Sequence, residues 1–401
     1  MLEGSARDEA LTVVAAVADA LATQPLDDTS LAGGSAGRAL LHARLAADDP
    51  ADDTSDREVA ITCLRHALPA LRRRGLSASL YRGAAGLGWV LAHLAGDLLD
   101  DRDRCGGLDR ALAKLLERRP WPGHYDLVDG LVGIGVYAME RLDAPGGPAL
   151  LEQVLARLSE VAVHTDEGVY WWTPPRRLPD AIRERSPEGH VDLGLAHGVP
   201  GVIALLGGAC AAGVADATSR QLLDGAVAWL LGEGLSAEVL PSWLAPDDEP
   251  EPARTAWCYG EPGVAAALLV AARAAGEASW ETAALRLARQ AAVRSVEDAG
   301  VVDAGLCHGA AGLGLIFARL HHATGDPELL AAARFWFEHT LDLRVPGTGV
   351  AGFTAVGPHG PVEDAGFLVG ATGVALALHA AATNREPSWD RILLLSTANR
   401  R

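Results

Sequence analysis

The chain is 401 residues long, with 49% hydrophobic and 21% charged side chains, the make-up of a folded, helix-rich protein and not of a disordered one. Its 34 basic and 52 acidic residues leave a formal net charge of −18, which argues against nucleic acid and anionic membrane surfaces as partners, since both are held by basic patches. At this length either two domains or one repeated architecture is expected.

The N-terminal stretch MLEGSARDEALTVVAAVADAL reads as an amphipathic helix and carries acids where a signal peptide needs basic residues, so no export is expected. The acidic runs Asp48 to Asp56 and Asp247 to Glu251 read as solvated loops, and the basic cluster Arg72 to Arg74 as a solvated face. The long uncharged stretch from Leu193 to Ala215 contains His197, Pro200 and six glycines, which argues against a membrane span. Five widely spaced cysteines, at 63, 105, 210, 258 and 307, are an odd number and no disulfide framework, so a reducing cytoplasm is the expected compartment.

Along the chain a Gly-x-x-Gly followed by an apolar helical run occurs seven times: GGSAGRALL, RGAAGLGWV, DGLVGIGVY, HGVPGVIAL, YGEPGVAAA, HGAAGLGLI and VGATGVALA. The first motif glycines are Gly34, Gly83, Gly130, Gly198, Gly260, Gly309 and Gly370, so the intervals are 49, 47, 68, 62, 49 and 61 residues. Each motif leads into a nearly uncharged run such as Val264 to Ala275, predicted helical. Between motifs lies a second, amphipathic helix, as in Ser279 to Val296 with Ser279 as N-cap. Glycine at these turns permits positive φ and close backbone approach. Seven pairs whose inner helices are shielded by outer ones predict an all-α fold, a single domain over residues 1–401. A closed α/α toroid is preferred over an open solenoid because neither terminal pair resembles a polar cap. The longest intervals hold irregular segments rich in proline, tryptophan and charge, from His164 to His190 and from Pro241 to Trp257. Such loops over a rigid scaffold are where binding tends to lie.

The register turns scattered residues into a constellation at one rim of the ring. Directly before the first motif glycine stand Gly33, Arg82, Asp129, His197, Tyr259, His308 and Val369; one step earlier stand Ala32, Tyr81, Val128, Ala196, Cys258, Cys307 and Leu368. Cys258 and Cys307 are thus equivalent, and with His308 they form a three-ligand zinc set with a fourth position open, or else are small buried hydrophobes. His197 reads as a general acid or base beside the metal, or as a helix-start residue bonded to backbone. Asp126 can orient His197 or cap a helix, and Arg254 can stabilise developing negative charge or pair with the acidic loop beside it. His124, Asp129 and Tyr259 are further rim residues. Cys63, Cys105 and Cys210 fall outside the rim and read as core.

In this order, YDLVDGLVGIG, GLAHGVPGV, RTAWCYGEPGV, LCHGAAGLG and the closing PSWDRILLLS resemble the lanthionine synthetase C-like cyclases, across all seven repeats. The resemblance implies an α/α toroid with one zinc ion held by Cys258, Cys307 and His308. It also implies His197 as catalytic acid/base, Asp126 as its neighbour and Arg254 as the assisting cation. The implied reaction adds cysteine thiols of a ribosomal peptide to dehydroalanine or dehydrobutyrine in the same peptide, closing thioether rings. The implied partners are a dehydrated leader-core precursor peptide, a lanthipeptide dehydratase and an export transporter, with the cyclase a cytoplasmic monomer drawn to the membrane through that complex. Two other readings use the same residues: a peptide-binding scaffold with structural zinc, and addition of a glutathione-type thiol to dehydroamino acids. Some relatives carry a β-rich insertion, for which the two long loops are the available places.

Overall fold

All seven Gly-x-x-Gly motifs start a helix, and each helix begins one residue after the first motif glycine. In the computed structural model, which describes residues 1–48, 55–72, 75–100, 102–235, 240–246, 248–383 and 385–396, these inner helices are Ser35–Asp48, Ala84–His93, Leu131–Glu140, Val199–Ala211, Glu261–Ala275, Ala310–Thr324 and Ala371–Ala382. Residues 49–54 of the acidic run, 73 and 74 of the basic cluster, and Asp247 lie outside the described residues.

Burial separates the two helix types as their sequences predict. Val199–Ala211 is buried on all faces, from Val199 through Ala209. Ala278–Ala292 buries only Ala284, Leu287, Ala288 and Ala291, one stripe at i, i+3, i+4 and i+7. The predicted N-cap at Ser279 is displaced: the helix starts at Ala278 with Glu277 as N-cap. Gly276, at φ +73, caps the preceding helix in the left-handed region by donating its N–H to Ala272, and the chain turns directly into the next helix.

The chain divides into two compact units. In the unit formed by Met1–Leu108 and Gly300–Trp389, the inner helices pack in the order Ala310–Thr324, Ala371–Ala382, Ser35–Asp48, Ala84–His93, so the last repeat lies against the first. Their outer partners are Pro327–Asp342, Gly4–Thr23 and Ser55–Ala67, against the first three respectively. In the unit formed by Asp109–Ala299 and the residues from Asp390, the order is Leu131–Glu140, Val199–Ala211, Glu261–Ala275. There the outer helices are Gly147–Glu160, Ala217–Trp229 and Ala278–Ala292.

The β structure among the described residues is small. Val163–Thr165 pairs antiparallel with Gly168–Tyr170, and His190–Asp192 is the middle strand between Trp172–Thr173 and Trp243–Leu244. These strands occupy the two long loops named from the sequence. A further hairpin, Ala355–Gly357 with Gly360–Val362, lies in the interval before the seventh motif, which the sequence did not single out. Among the described residues no helix is long and apolar enough to cross a membrane.

Candidate active site

The glycine turns explain how side chains reach the site. In six of the seven repeats a Cβ on the first motif glycine would collide with the carbonyl oxygen six residues earlier, that of Ser77 for Gly83 and of Arg254 for Gly260, and on Gly309 it would meet the Gly305 nitrogen and Asp303 Oδ1. A Cβ on the second would collide with the carbonyl three residues before the motif, that of Leu80 for Gly86 and of Trp257 for Gly263. Close approach is therefore the general reason for glycine here. Positive φ is needed only at Gly260, at +91, while Gly83, Gly130, Gly198, Gly309 and Gly370 sit in extended backbone. The residue six before the glycine also accepts the first helical N–H, as in Ala84 to Ser77 at 2.8 Å and Ala310 to Asp303 at 3.0 Å. Where that residue is aspartate, its Oδ1 accepts a second N–H two residues on: Ser30 to Asp28 at 2.7 Å, Gly194 to Asp192 at 2.8 Å, Gly305 to Asp303 at 3.0 Å, Gly366 to Asp364 at 2.7 Å. Four turns are thus closed by one carboxylate device.

The positions of the cysteines are set by a backbone belt. Two residues before the motif glycine, Ala32 donates to the Tyr81 carbonyl at 2.8 Å, Ala196 to Cys258 at 3.3 Å, Cys307 to Leu368 at 2.8 Å and Leu368 to Ala32 at 3.3 Å. Further anchors surround Cys258. Trp257 donates its indole N–H to the Leu393 carbonyl at 2.9 Å, and Arg294 bonds Thr255 Oγ1 at 2.7 Å while pairing with Glu261. Glu261 and Thr255 are buried, so the turn ahead of Glu261–Ala275 is held rigidly from behind.

Cys258, Cys307 and His308 form a cluster whose ligand atoms all lie within 4.8 Å of one another. Two sulfurs and one imidazole nitrogen at this spacing suit a soft, tetrahedral ion such as zinc and leave one position for another ligand. Cys258 is 8% exposed, and the His308 side chain 25%. Tyr81, the second repeat's counterpart of the cysteines, is buried, and burial together with the charge of Cys307 raises its phenol well above the ordinary value.

His197 stands directly before Gly198 and faces a cavity of about 170 Å³. Its Nδ1 donates to Asp126 Oδ2 at 2.7 Å. Asp126 Oδ1 accepts the Asp129 N–H at 2.7 Å, so one buried carboxylate both closes its own turn and holds the histidine. Burial opposes the charge on His197, but the hydrogen bond and charge of Asp126, then the charges of Asp192 and Cys258, outweigh it and raise its pKa to about 9. The imidazolium form is therefore held at neutral pH, on a side chain still 39% exposed. Tyr259 stacks on His197 with ring centroids 6.2 Å apart and donates its hydroxyl to Asp192 Oδ2 at 2.9 Å. Burial pushes Asp192 up to about 6, against the opposing pull of His197, the Gly194 N–H and the Tyr259 hydroxyl. Burial, then the charge of His197, pulls His190 down to about 4. Two histidines on one cavity thus differ in charge at neutral pH, His197 favouring the cation and His190 the neutral ring.

The structure brings His197, Asp126, His124, Asp129 and Tyr259 to this cavity and gathers the three candidate ligands. The Arg254 side chain is exposed and does not line the cavity; its carbonyl packs under Gly260. Cys63 and Cys105 are buried and Cys210 half-buried. The cavity also contains residues the sequence did not point to: Asp192, His190, Tyr125 and Arg177, whose guanidinium donates to the Pro122 carbonyl at 2.8 Å. Asp192 had a sequence signal, the aspartate recurring six before a motif glycine. Arg177 and His190 lie in an irregular segment with no period.

Residues 25–394 match the family described as lanthionine synthetase C-like protein, and the chain belongs to that family. Among curated proteins it is similar to "Nisin biosynthesis protein NisC" of Lactococcus lactis subsp. lactis, 25% identical over 259 residues, 59% of this chain and 61% of that relative's length. Among solved structures it is similar to "Nisin cyclase", with a TM-score of 0.77 and 21% identity over 97% of each chain. That likeness is one of fold, and it is consistent with the α/α toroid predicted from the repeats.

Proposed function

We propose that this protein is a zinc-dependent lanthipeptide cyclase, adding cysteine thiols of a dehydrated precursor peptide to its own dehydroalanine or dehydrobutyrine residues. The observation that carries the reading is His197, hydrogen-bonded to buried Asp126, on a cavity whose Tyr259 directly follows a member of the Cys258, Cys307 and His308 set. When bound by those three residues, zinc supplies a Lewis acid that keeps a substrate thiol ionised near neutral pH.

The remaining chemistry falls to the chain. Attack of a thiolate on the β-carbon forms a C–S bond and moves an electron pair onto the neighbouring carbonyl, an enolate that then takes a proton at the α-carbon. With Nδ1 engaged by Asp126, the Nε2 proton of His197 is the one available for that transfer, and the carboxylate keeps the ring orientation fixed. The thiol proton lost at the start balances the proton delivered at the end. Arg254 is assigned as assisting cation by its motif position, and Arg177 on the cavity wall is a second guanidinium within the same unit. A dehydratase that prepares the peptide is the partner this reaction requires. Leu178, Pro179 and Ile182 give one side of the cavity an apolar surface on which a peptide segment can lie.

The test is incubation of purified protein with a dehydrated cognate precursor peptide, read by mass spectrometry after thiol alkylation. Free thiols should disappear with no change in peptide mass. Ring formation no faster than without protein overturns the catalytic reading; if the protein still binds peptide and zinc, the scaffold reading takes its place. Mass increments matching an added small thiol favour the glutathione-type reaction.

A further inference from the structure

Four glycine turns are closed by an aspartate whose Oδ1 accepts a backbone N–H, and that leaves Oδ2 to be accounted for. In two of them Oδ2 has a clear local partner: Asp28 Oδ2 accepts the Ser30 hydroxyl at 2.8 Å and Asp192 Oδ2 the Tyr259 hydroxyl at 2.9 Å. In the sixth turn, Asp303 is 5% exposed and its Oδ2 is a buried carboxylate oxygen with no hydrogen-bond partner among the described residues. A buried acceptor left in that state is unfavourable, the more so when charged, so its persistence calls for an explanation. The nearest basic nitrogen is Nε2 of His308, 3.7 Å away, too long for a hydrogen bond but within reach of a small side-chain adjustment.

We infer that Asp303 is a positioning residue for the metal ligand His308: its Oδ2 accepts the Nε2–H proton, which fixes the tautomer and leaves Nδ1 as the nitrogen offered to the ion. A histidine that binds a metal through one nitrogen typically donates the other N–H to a carboxylate, and such partners set ring orientation and ligand basicity. Asp303 is well placed for this because its other oxygen is anchored on Gly305 N–H at 3.0 Å, so the carboxylate is fixed before any ion arrives. One side chain would thus close the turn that presents Cys307 and His308 and select the donor atom of His308. The inference rests on the reading of Cys258, Cys307 and His308 as a zinc set.

The discriminating variant is Asp303→Asn. Its amide oxygen can still accept from Gly305 N–H, preserving the turn, while its NH2 faces Nε2 as a donor and favours the wrong tautomer. Zinc affinity of the full-length protein, measured by competition with a chromophoric chelator, should fall about 10- to 100-fold while the metal-free protein is no less thermally stable than the wild type. Equal affinity in the variant and the wild type overturns the role of Asp303. A second readout needs no variant: 15N-histidine NMR of the zinc-loaded wild type should show Nε2 protonated and Nδ1 metal-bound, and the reverse assignment overturns the inference even if Asp303→Asn does not fold. Wild-type protein that binds no zinc, or Cys307→Ala that binds it undiminished, removes the zinc set itself, a result distinct from a failure of Asp303 alone.

Discussion

Nδ1 of His197 and Oδ2 of Asp126, 71 residues apart in the chain, lie 2.7 Å from each other, and Asp126 spends its other oxygen on its own turn. The pair is therefore pinned at both ends. Replacing Asp126 with asparagine keeps an oxygen for the Asp129 N–H, removes the negative charge and turns an amide NH2 toward Nδ1 of His197, so both the charge pairing and the hydrogen bond are lost. The His197 pKa should fall from about 9 toward the ordinary histidine range of ~6.5. Because the folded value lies above the unfolded one, the pair stabilises the fold fully below about pH 6.5, and this contribution is lost as pH climbs through about 9. Denaturant unfolding of wild type and Asp126→Asn should show a stability gap at pH 6 that closes above pH 9. A gap constant across that range would mean that the histidine is not titrating through this carboxylate.

His197→Asn should leave zinc content unchanged and slow ring formation by about 100- to 10,000-fold, the usual loss on removing a general acid. Parallel measurement of metal content and thiol consumption separates the two. A normal rate of ring closure would reduce His197 to a structural role.

Purified protein should contain about one zinc ion per chain. Either Cys258→Ala or Cys307→Ala should release it, since two remaining protein ligands hold zinc poorly. Metal analysis after gel filtration against a weak chelator checks this, and full retention in both variants would disprove the assigned ligand set.

Asp192 provides a second pH test, of the same sign but in a more acidic window. Its carboxyl is pushed up to about 6, so ionising it in the fold is unfavourable, and wild type should lose stability relative to Asp192→Asn as pH rises from about 4 to 6. A curve parallel to that of the variant through this window would show that burial does not penalise the charged form.

The glycine turns give a steric prediction. Gly260→Ala places a Cβ against the Arg254 carbonyl in a positive-φ conformation and should destabilise the fold by about 1–3 kcal/mol or more. Gly107→Ala, in the open first turn of the helix Gly106–Leu116, meets nothing within 4 Å and should be neutral or stabilising by about 0.4–1 kcal/mol. Thermal unfolding of both variants decides whether the turn glycines are required by packing within the chain or are incidental to it.

Much of this was legible in the sequence because the repeat is short-range. Gly-x-x-Gly followed by an uncharged run marked all seven inner helices, although each begins inside the motif, at Glu261 where the run was read from Val264, and the same register gave Cys258 and Cys307 equivalent positions. The aspartate six residues before the glycine was harder to see, because Ser77, His124 and Arg254 occupy that position in three repeats and the shared contribution is their backbone carbonyl. His190 and Arg177 have no register at all: one is placed by the pairing of His190–Asp192 with its neighbouring strands, the other by its hold on the Pro122 carbonyl. Ser279 misled because its cap signal lies one turn-residue inside a boundary set by the left-handed Gly276.

The backbone belt two residues before six of the seven motif glycines has a bearing on how such a site can change. Position is supplied there by N–H and carbonyl groups common to every amino acid but proline, so alanine, tyrosine, leucine and cysteine occupy equivalent places without altering the path of the chain. The side chains at that level behave as interchangeable tools in a fixed rack. A scaffold built this way can exchange one rim residue for another, gaining or surrendering a ligand, a hydroxyl or an apolar contact, while the helices beneath keep their packing.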